Sequence, residues 1–392
     1  MSFSRHLIGS LAAAAILAPS LVKADAPAAK WYDKVSVSGY ATSSYDLWLN
    51  QPAANSNFNG TIPGRAFDQT PNAFVYGGEM IFAYQDAASK TGANVDILYG
   101  TLNLIDGNTN YGNDNWNMVS IGQADVTQAL GPITLTIGKF ATPVGYESWN
   151  VTSDANFSRS IIYQQEPYYS IGAKVDYAAP AGITASLWLD NGNSTSFTNS
   201  DAKNWGVALA YAGVKNLTVN AQWYEDLANS YKNSGGGQGY FDTIDNIDVN
   251  VSYQVMDSLS LAGEYLYKTA LDGSSDADRF NVFDKFSPKA QGYALYATYT
   301  TPVSNLSVAG RFESWFSPDQ NSSTWGNTSV GMSEYQVDSY TLTVKYVMGP
   351  LSHILEYRSD ASNGYDFQTN STNNNNLSQT DQTVTYAAVY GF

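Results

Sequence analysis

From residue 35 onward, apolar and polar positions alternate with a period of two in stretch after stretch. That is the pattern of strands whose two faces meet different surroundings. Ile171, Ala173, Val175 and Tyr177 interleave with Gly172, Lys174 and Asp176, and Val249, Val251, Tyr253 and Val255 with Asn250, Ser252 and Gln254. The same alternation runs through Leu259, Leu261, Gly263, Tyr265 and Tyr267, and through Leu342, Val344, Tyr346 and Met348. The interleaved residues are small, amidic or charged. No 3.6-residue period persists for three turns anywhere after residue 24.

The connections come in two sizes. Short turns fall at Ser89-Lys90-Thr91-Gly92, Gly131-Pro132, Pro180-Ala181-Gly182, Gly213-Val214-Lys215-Asn216, Met256-Asp257-Ser258, Pro302-Val303-Ser304-Asn305 and Met348-Gly349-Pro350. Long polar segments, rich in Asn, Ser, Gly and Asp, lie near 50–72, 105–114, 142–167, 191–202, 228–242, 269–288, 317–332 and 361–379. Short and long alternate strictly. This predicts sixteen strands near 35–49, 73–86, 93–104, 115–130, 133–141, 168–179, 183–190, 203–212, 217–227, 243–255, 259–268, 289–301, 306–316, 333–347, 351–360 and 380–392. Fourteen and eighteen strands are the alternatives, with 183–190 and the split at Gly131-Pro132 the points where the count would change.

A tilted membrane crossing needs about 9–11 residues, and tight turns at one end with long loops at the other describe an outer-membrane barrel. Backbone groups in lipid must all be paired, so a sheet that spans a membrane has to close on itself. The expected fold is therefore all-β: a transmembrane up-and-down antiparallel barrel, with lipid on the apolar face and water on the polar one. An even strand count places both termini at the short-turn, periplasmic end. Tyr177, Tyr211, Trp223, Tyr265, Tyr299, Tyr346 and Tyr390 are candidates for interfacial girdles, where an amphipathic ring meets both phases. Val384, Tyr386, Ala388, Tyr390 and Phe392 form the last apolar face. It resembles the terminal signature of outer-membrane barrels, so Tyr390 and Phe392 are read as the signal for the barrel assembly machinery.

Composition narrows the picture. The chain has 392 residues, 19 Lys+Arg against 35 Asp+Glu, no cysteine, and 9 Trp, 29 Tyr and 16 Phe. Without clustered cations it has no footprint for nucleic acid. Without cysteine it has neither disulfides nor thiolate chemistry. Arg5 and His6 precede an apolar run from Leu7 to Ala18, and Val22-Lys23-Ala24 ends in small residues, as a cleaved signal peptide does. Residues 1–24 are read as that signal and 25–392 as the barrel. The run is too short for a helical span. Loss of Arg5 and Lys23 takes the net charge from -16 to -18.

The segment Ile137-Gly138-Lys139-Phe140-Ala141-Thr142-Pro143-Val144-Gly145-Tyr146-Glu147 continues through Asn156-Phe157-Ser158-Arg159-Ser160 to Pro167 and Gly172-Ala173-Lys174. It resembles the core of the OmpL-like family of β-barrel porins. Val37-Ser38-Gly39-Tyr40 and Gln123-Ala124 fit as well. The resemblance implies passive diffusion of ions and small hydrophilic solutes across a bacterial outer membrane. It also implies that the loop at 142–167 folds into the lumen and constricts it. The rival is a structural, adhesive or carbohydrate-binding barrel without an open channel. General porins often trimerise, so a homo-trimer is an open alternative. Lipid and lipopolysaccharide are the other expected partners.

Candidate constriction and lumen residues follow from the loop and from strand parity: Glu147, Arg159 and Glu166 in the loop, then Lys174, Asp176, Asp248, Glu264, Arg311, Glu313, Lys345, Glu356 and Arg358 on the wall. Glu79, Asp96 and Lys268 share that parity. Both signs occur, which predicts only mild ion selectivity. Lys139 shares parity with Ile133, Leu135 and Ile137, so it either snorkels or follows a bulge. No catalytic residue, cofactor or metal site is assigned. His353 sits among apolar neighbours of like parity, and no hydrolase elbow, zinc helix or phosphate loop occurs. Asp248 and Glu264 are simpler as lumen charges than as a glycosidase pair. Residues 106–114 and 272–278 carry hard oxygen ligands but lack the order of an EF-hand, although divalent ions at the outer rim stay open.

Overall fold

The computed structural model describes residues 30–49, 72–100, 119–191, 203–226, 243–271, 289–318, 323–325, 328–330, 334–363, 367–368 and 377–392. The signal segment and the oxygen-rich stretches at 106–114 and 272–278 lie outside them.

The chain forms β1 (Val35–Trp48), β2 (Phe74–Asp86), β3 (Thr91–Gly100), β4 (Val119–Leu130), β5 (Ile133–Ala141), β6 (Tyr169–Ala179), β7 (Ile183–Asp190), β8 (Asn204–Tyr211), β9 (Leu217–Asp226) and β10 (Thr243–Met256). It continues with β11 (Leu259–Leu271), β12 (Lys289–Thr300), β13 (Leu306–Pro318), β14 (Ser323–Trp325), β15 (Thr328–Val330), β16 (Glu334–Met348), β17 (Leu351–Ser362), β18 (Phe367–Gln368), β19 (Leu377–Ser378) and β20 (Thr380–Gly391). Sixteen of these close into one barrel, each pairing antiparallel with its sequence neighbour and β20 returning to β1. The sixteen-strand expectation holds, including the stretch 183–190 and the split at Gly131-Pro132. Not foreseen were the small hairpins β14–β15 and β18–β19, which lie within two long connections.

Local chemistry explains the tight turns. All but one of the seven carry a residue in the left-handed region, among them Lys90, Ala181, Asn216 and Asn305. Such a residue reverses a strand pair without splaying it. At the seam, Gly39 and Phe392 exchange backbone hydrogen bonds of 3.1 and 3.0 Å, so the final residue is held against β1.

The two faces separate by parity as expected. Ile137, Leu187, Leu209, Leu295, Leu342 and Leu355 point outward, as do the girdle tyrosines Tyr177, Tyr265, Tyr299, Tyr346 and Tyr390. His353 packs here too, its Nδ1 2.8 Å from the Tyr386 hydroxyl. Lys139 also keeps its outward parity. A bulge at Gly122 shifts the β3–β4 register, and the β4–β5 ladder begins only at Ala124. The Ile121 carbonyl, beyond that ladder, accepts from Lys139 Nζ at 2.5 Å, and the ammonium lies 3.6 Å from the Tyr169 ring centre. Lys139 snorkels at a bulge, so both readings contribute.

Candidate functional site: a loop held inside the barrel

The segment between β5 and β6 is the most buried connection among the described residues. Loops ordinarily run over surfaces because their backbone groups need water. Here barrel side chains take water's place. Thr142 donates to the Tyr168 carbonyl through its amide (3.3 Å) and to the Pro167 carbonyl through its hydroxyl, closing the loop at its base. One helical turn, α1 (Ile161–Gln164), is capped by Ser160, whose hydroxyl accepts from the Tyr163 amide at 2.9 Å.

Register gathers the polar wall. Arg311, Thr341, Arg358 and Thr383 form one cross-strand row, and Glu313, Ser339, Asp360 and Asp381 form the next. Arg311 and Glu313 are two residues apart and so share the inward face, with Nε to Oε1 at 3.1 Å; Arg358 and Asp360 repeat the arrangement at 2.8 Å. Both arginines also reach the loop. Arg311 reaches Glu147 Oε1 (2.8 Å) and the Ser158 carbonyl (2.7 Å), and it shares the Arg159 carbonyl with Arg358 (3.2 and 2.6 Å).

Carboxylates bind the loop's amides in turn. Glu356 accepts from the Phe157 and Ser158 amides at 2.6 and 2.9 Å, and Glu147 from the Ser160 amide at 2.6 Å. Glu313 accepts from the Ile161 amide, and Glu264 from the Tyr146 amide at 2.5 Å. Burying Glu147 and Glu313 is tolerable because each is paired with Arg311 and hydrogen-bonded; Glu356 and Glu264 are held by hydrogen bonds alone.

Other contacts reach around the wall. Trp149 Nε1 donates to Glu79 at 2.9 Å, Lys268 to the Gln165 carbonyl at 2.7 Å, and Gln222 to the Pro143 carbonyl at 2.8 Å. Apolar contacts reinforce them. Ile161 and Ile162 pack with Leu266, Ala290, Ala294, Trp315 and Val337, while Trp149, Val151 and Phe157 pack with Tyr40, Leu98 and Ile354. The inward face of β12 is Ala290, Gly292 and Ala294, small enough to receive α1. A Cβ on Gly292 would stand 2.5 Å from the Trp315 ring and 3.2 Å from Ile162.

These observations describe a closed barrel, apolar outside and polar within, that encloses its own third long connection. Residues 34–392 match a protein family described as "Putative beta-barrel porin-2, OmpL-like". The chain belongs to this family. Among solved structures it resembles the outer membrane channel DcaP of Acinetobacter baumannii at 13% identity and a TM-score of 0.58, with 91% of this chain and 97% of that one covered. It resembles OmpF of Salmonella typhi at 14% identity and a TM-score of 0.57, with the same coverage. It also resembles the trimer form of OmpT of Vibrio cholerae at 11% identity and a TM-score of 0.56, covering 91% and 99%. No curated protein matches by sequence. The protein is a porin of the bacterial outer membrane.

Within this porin the residues singled out by sequence separate by what they touch. Glu147, Glu313, Glu356, Arg311 and Arg358 are buried and join the loop to the wall. Arg159 is fully buried within the loop itself: Nε meets the Ser148 carbonyl (2.5 Å) and Asp154 (3.2 Å), while Nη1 and Nη2 meet the carbonyls of Phe157 (2.8 Å) and Trp149 (3.1 Å). It faces its own loop rather than water. Glu166, Asp248 and Glu264, also buried, form a separate cluster whose nearest carboxylate oxygens lie within 4.8 Å of one another. Lys174 and Asp176 form a half-buried pair on β6 at 3.1 Å, and Lys345 is half-buried on β16.

Sequence reasoning passed over Asp360, Gln222, Thr343 and Tyr296. All four have inward parity, so parity alone could have found them. Burial pushes the Asp154 carboxyl up to about 7, with neighbouring Arg159 opposing the shift. Burial, then the Glu264 and Asp248 carboxylates, push Glu166 well above the usual range.

Proposed function

We propose that this porin carries ions and small hydrophilic solutes passively through its lumen, and that the loop at 142–167 sets the narrowest part of the path. The carrying observation is the loop's anchorage to the inward face of the wall by buried charge and backbone hydrogen bonds. A constriction must keep its dimensions while solutes pass, and a loop fixed this way does so. The path is bordered by the inward polar residues that reach water, among them Asn94, Asp125, Lys174, Asp176, Ser186 and Lys345. Both signs are present, so selectivity is mild. No cofactor or energy source enters.

Delivery uses the segment 1–24 as a signal removed after Ala24, with Phe392 read by the assembly machinery. We also propose a homo-trimer, the form of the OmpT structure that the chain resembles; sedimentation in detergent measures it.

Planar-bilayer recording tests the main reading. Reproducible single-channel steps are expected, with a small reversal potential under a salt gradient. Folded, inserted protein that gives no steps would leave a closed structural barrel instead.

A further inference from the structure

We propose that Glu166, Asp248 and Glu264 bind one hard divalent cation of the calcium or magnesium class, which pins the last part of the loop to β10 and β11. The three carboxylates come from three separate elements, and one oxygen from each lies within 4.8 Å of the other two. No lysine or arginine among the described residues pairs with any of them; the Lys268 ammonium nearby is directed to the Gln165 carbonyl instead.

Glu166 and Glu264 hydrogen-bond to each other, and Asp248 accepts from the Gly145 amide. Glu264 accepts from the Tyr146 amide and the Tyr296 hydroxyl, at 2.5 and 3.1 Å. Asp248 Oδ1 accepts from Asn250 at 3.0 Å. Asp248 Oδ2 and Glu166 Oε1 are buried and have no partner. Gln222 stands directly across the strand pair from Asp248. Its amide nitrogen is used on Pro143, which leaves Oε1 buried and unpartnered on the same inward face.

Carboxylates this close need a positive charge between them, and either protons or a cation can supply it. A proton shared by Glu166 and Glu264 serves one pair, leaving Asp248 Oδ2 and, on the residue opposite in register, Gln222 Oε1 without a hydrogen-bond partner. A cation uses all four oxygens. An all-oxygen set, mainly carboxylate, with no imidazole or thiolate selects calcium or magnesium over zinc or copper. The position matters too. Gly145 lies against Glu166, where a Cβ would stand 1.9 Å from Oε2, so the start and end of the loop meet at this point. A cation here locks both to the wall.

The test uses the full-length, detergent-folded protein stripped with a chelator at pH 8, titrated with calcium or magnesium alone. Arg159 is the sole basic residue of the loop and is fully buried, so trypsin cuts after it only when the loop leaves the wall. One saturable site per chain is expected, at least tenfold weaker in Asp248→Asn and in Glu166→Gln. Either ion should slow cleavage after Arg159 at least tenfold in the parent and leave both variants unaffected. Parent cleavage indifferent to both ions would overturn the proposal in favour of shared protons. Unchanged binding in folded variants would also overturn it, assigning the ions to the outer rim. If Asp248→Asn loses the barrel, Glu166→Gln, a loop substitution, and the parent comparison decide. Conductance is not the readout, so a barrel without channel activity leaves this test intact.

Discussion

Two groups of charge line the inside of this barrel, and they differ in what they are free to do. On β13 and β17, Arg311, Arg358, Glu313, Glu356 and Asp360 are buried and committed to the loop or to one another. On β4 and β6, Asp125, Lys174 and Asp176 remain half-buried, within reach of water. The denser group fixes geometry, and the sparser one faces whatever passes. A buried guanidinium already held by carbonyls and carboxylates, as that of Arg311 is, is a poor counter-ion for a solute, however central its position. Charge density along a sequence therefore identifies where the loop is held before it identifies what a channel selects.

Removing Arg311 should break this contrast most severely. Arg311→Met leaves Glu147 buried without its cation and Glu313 with only Arg358 at 3.8 Å, a loss of about 3–5 kcal/mol for a broken buried pair. The barrel should survive, still migrating differently before and after boiling, while trypsin cleavage after Arg159 rises more than a hundredfold. Intact protection would show that the ion network is not what holds the loop.

A smaller effect is expected at Gly145. Its φ of 92° is strained for any side chain, and a Cβ would meet the Glu166 carboxylate. Gly145→Ala should weaken docking by about 1–3 kcal/mol, read as faster cleavage at the same site. Protection equal to the parent's would mean that the loop start can shift without loosening the rest.

Acidity offers a milder handle. Asp154 titrates near 7 when the loop is docked and near the ordinary carboxylate value of about 4 when it is free. The docked loop therefore holds more protons between those values. Through Asp154, docking should strengthen as pH falls from 7 to 4, by at most about tenfold per unit. Glu166, whose carboxyl docking also pushes up, adds in the same direction and extends the effect to higher pH. Hydrogen exchange of the amides from Ser148 to Ser160, corrected for intrinsic rate and run with chelator present, measures this. Weakening over that interval would reverse the sign assigned to Asp154.

The gentlest change sharpens the other side of the comparison. Lys174→Glu alters a half-exposed pair, so stability should move by no more than about 0.5 kcal/mol. The reversal potential should shift toward cations while protection of Arg159 stays constant. Arg159→Glu should do the opposite, releasing the loop before it alters selectivity. A clean selectivity shift in Arg159→Glu with the loop still protected would place that arginine on the path.

The barrel was largely legible in the sequence because its determinants are local. Period-two alternation, punctuated by turns such as Pro180-Ala181-Gly182, sets each strand within a few residues of its observed ends. Parity sorts Tyr177 outward and Asp176 inward with no knowledge of neighbours. The hairpins β14–β15 and β18–β19 escaped because two or three residues carry no period. The loop's partners were less legible for a different reason. Glu356 meets Phe157 and Ser158 across about 200 positions of chain, through a register that appears only once β13, β16, β17 and β20 are aligned. Sequence can nominate Arg159 and Arg311 alike. It cannot tell that one clasps its own loop and the other clasps its neighbour.

The loop's anchorage also has a mechanical meaning. A ring of strands resists stretching along its hydrogen bonds but ovalises easily, because bending costs each ladder only a few degrees of twist. Residues 142–168 make contact near β1 and β2 through Trp149, near β9 and β11 through Pro143 and Tyr146, and near β17 through Phe157. A tube braced at several points of its circumference keeps a round section when the surrounding bilayer presses on it unevenly. The brace that narrows the bore thus also holds its outline.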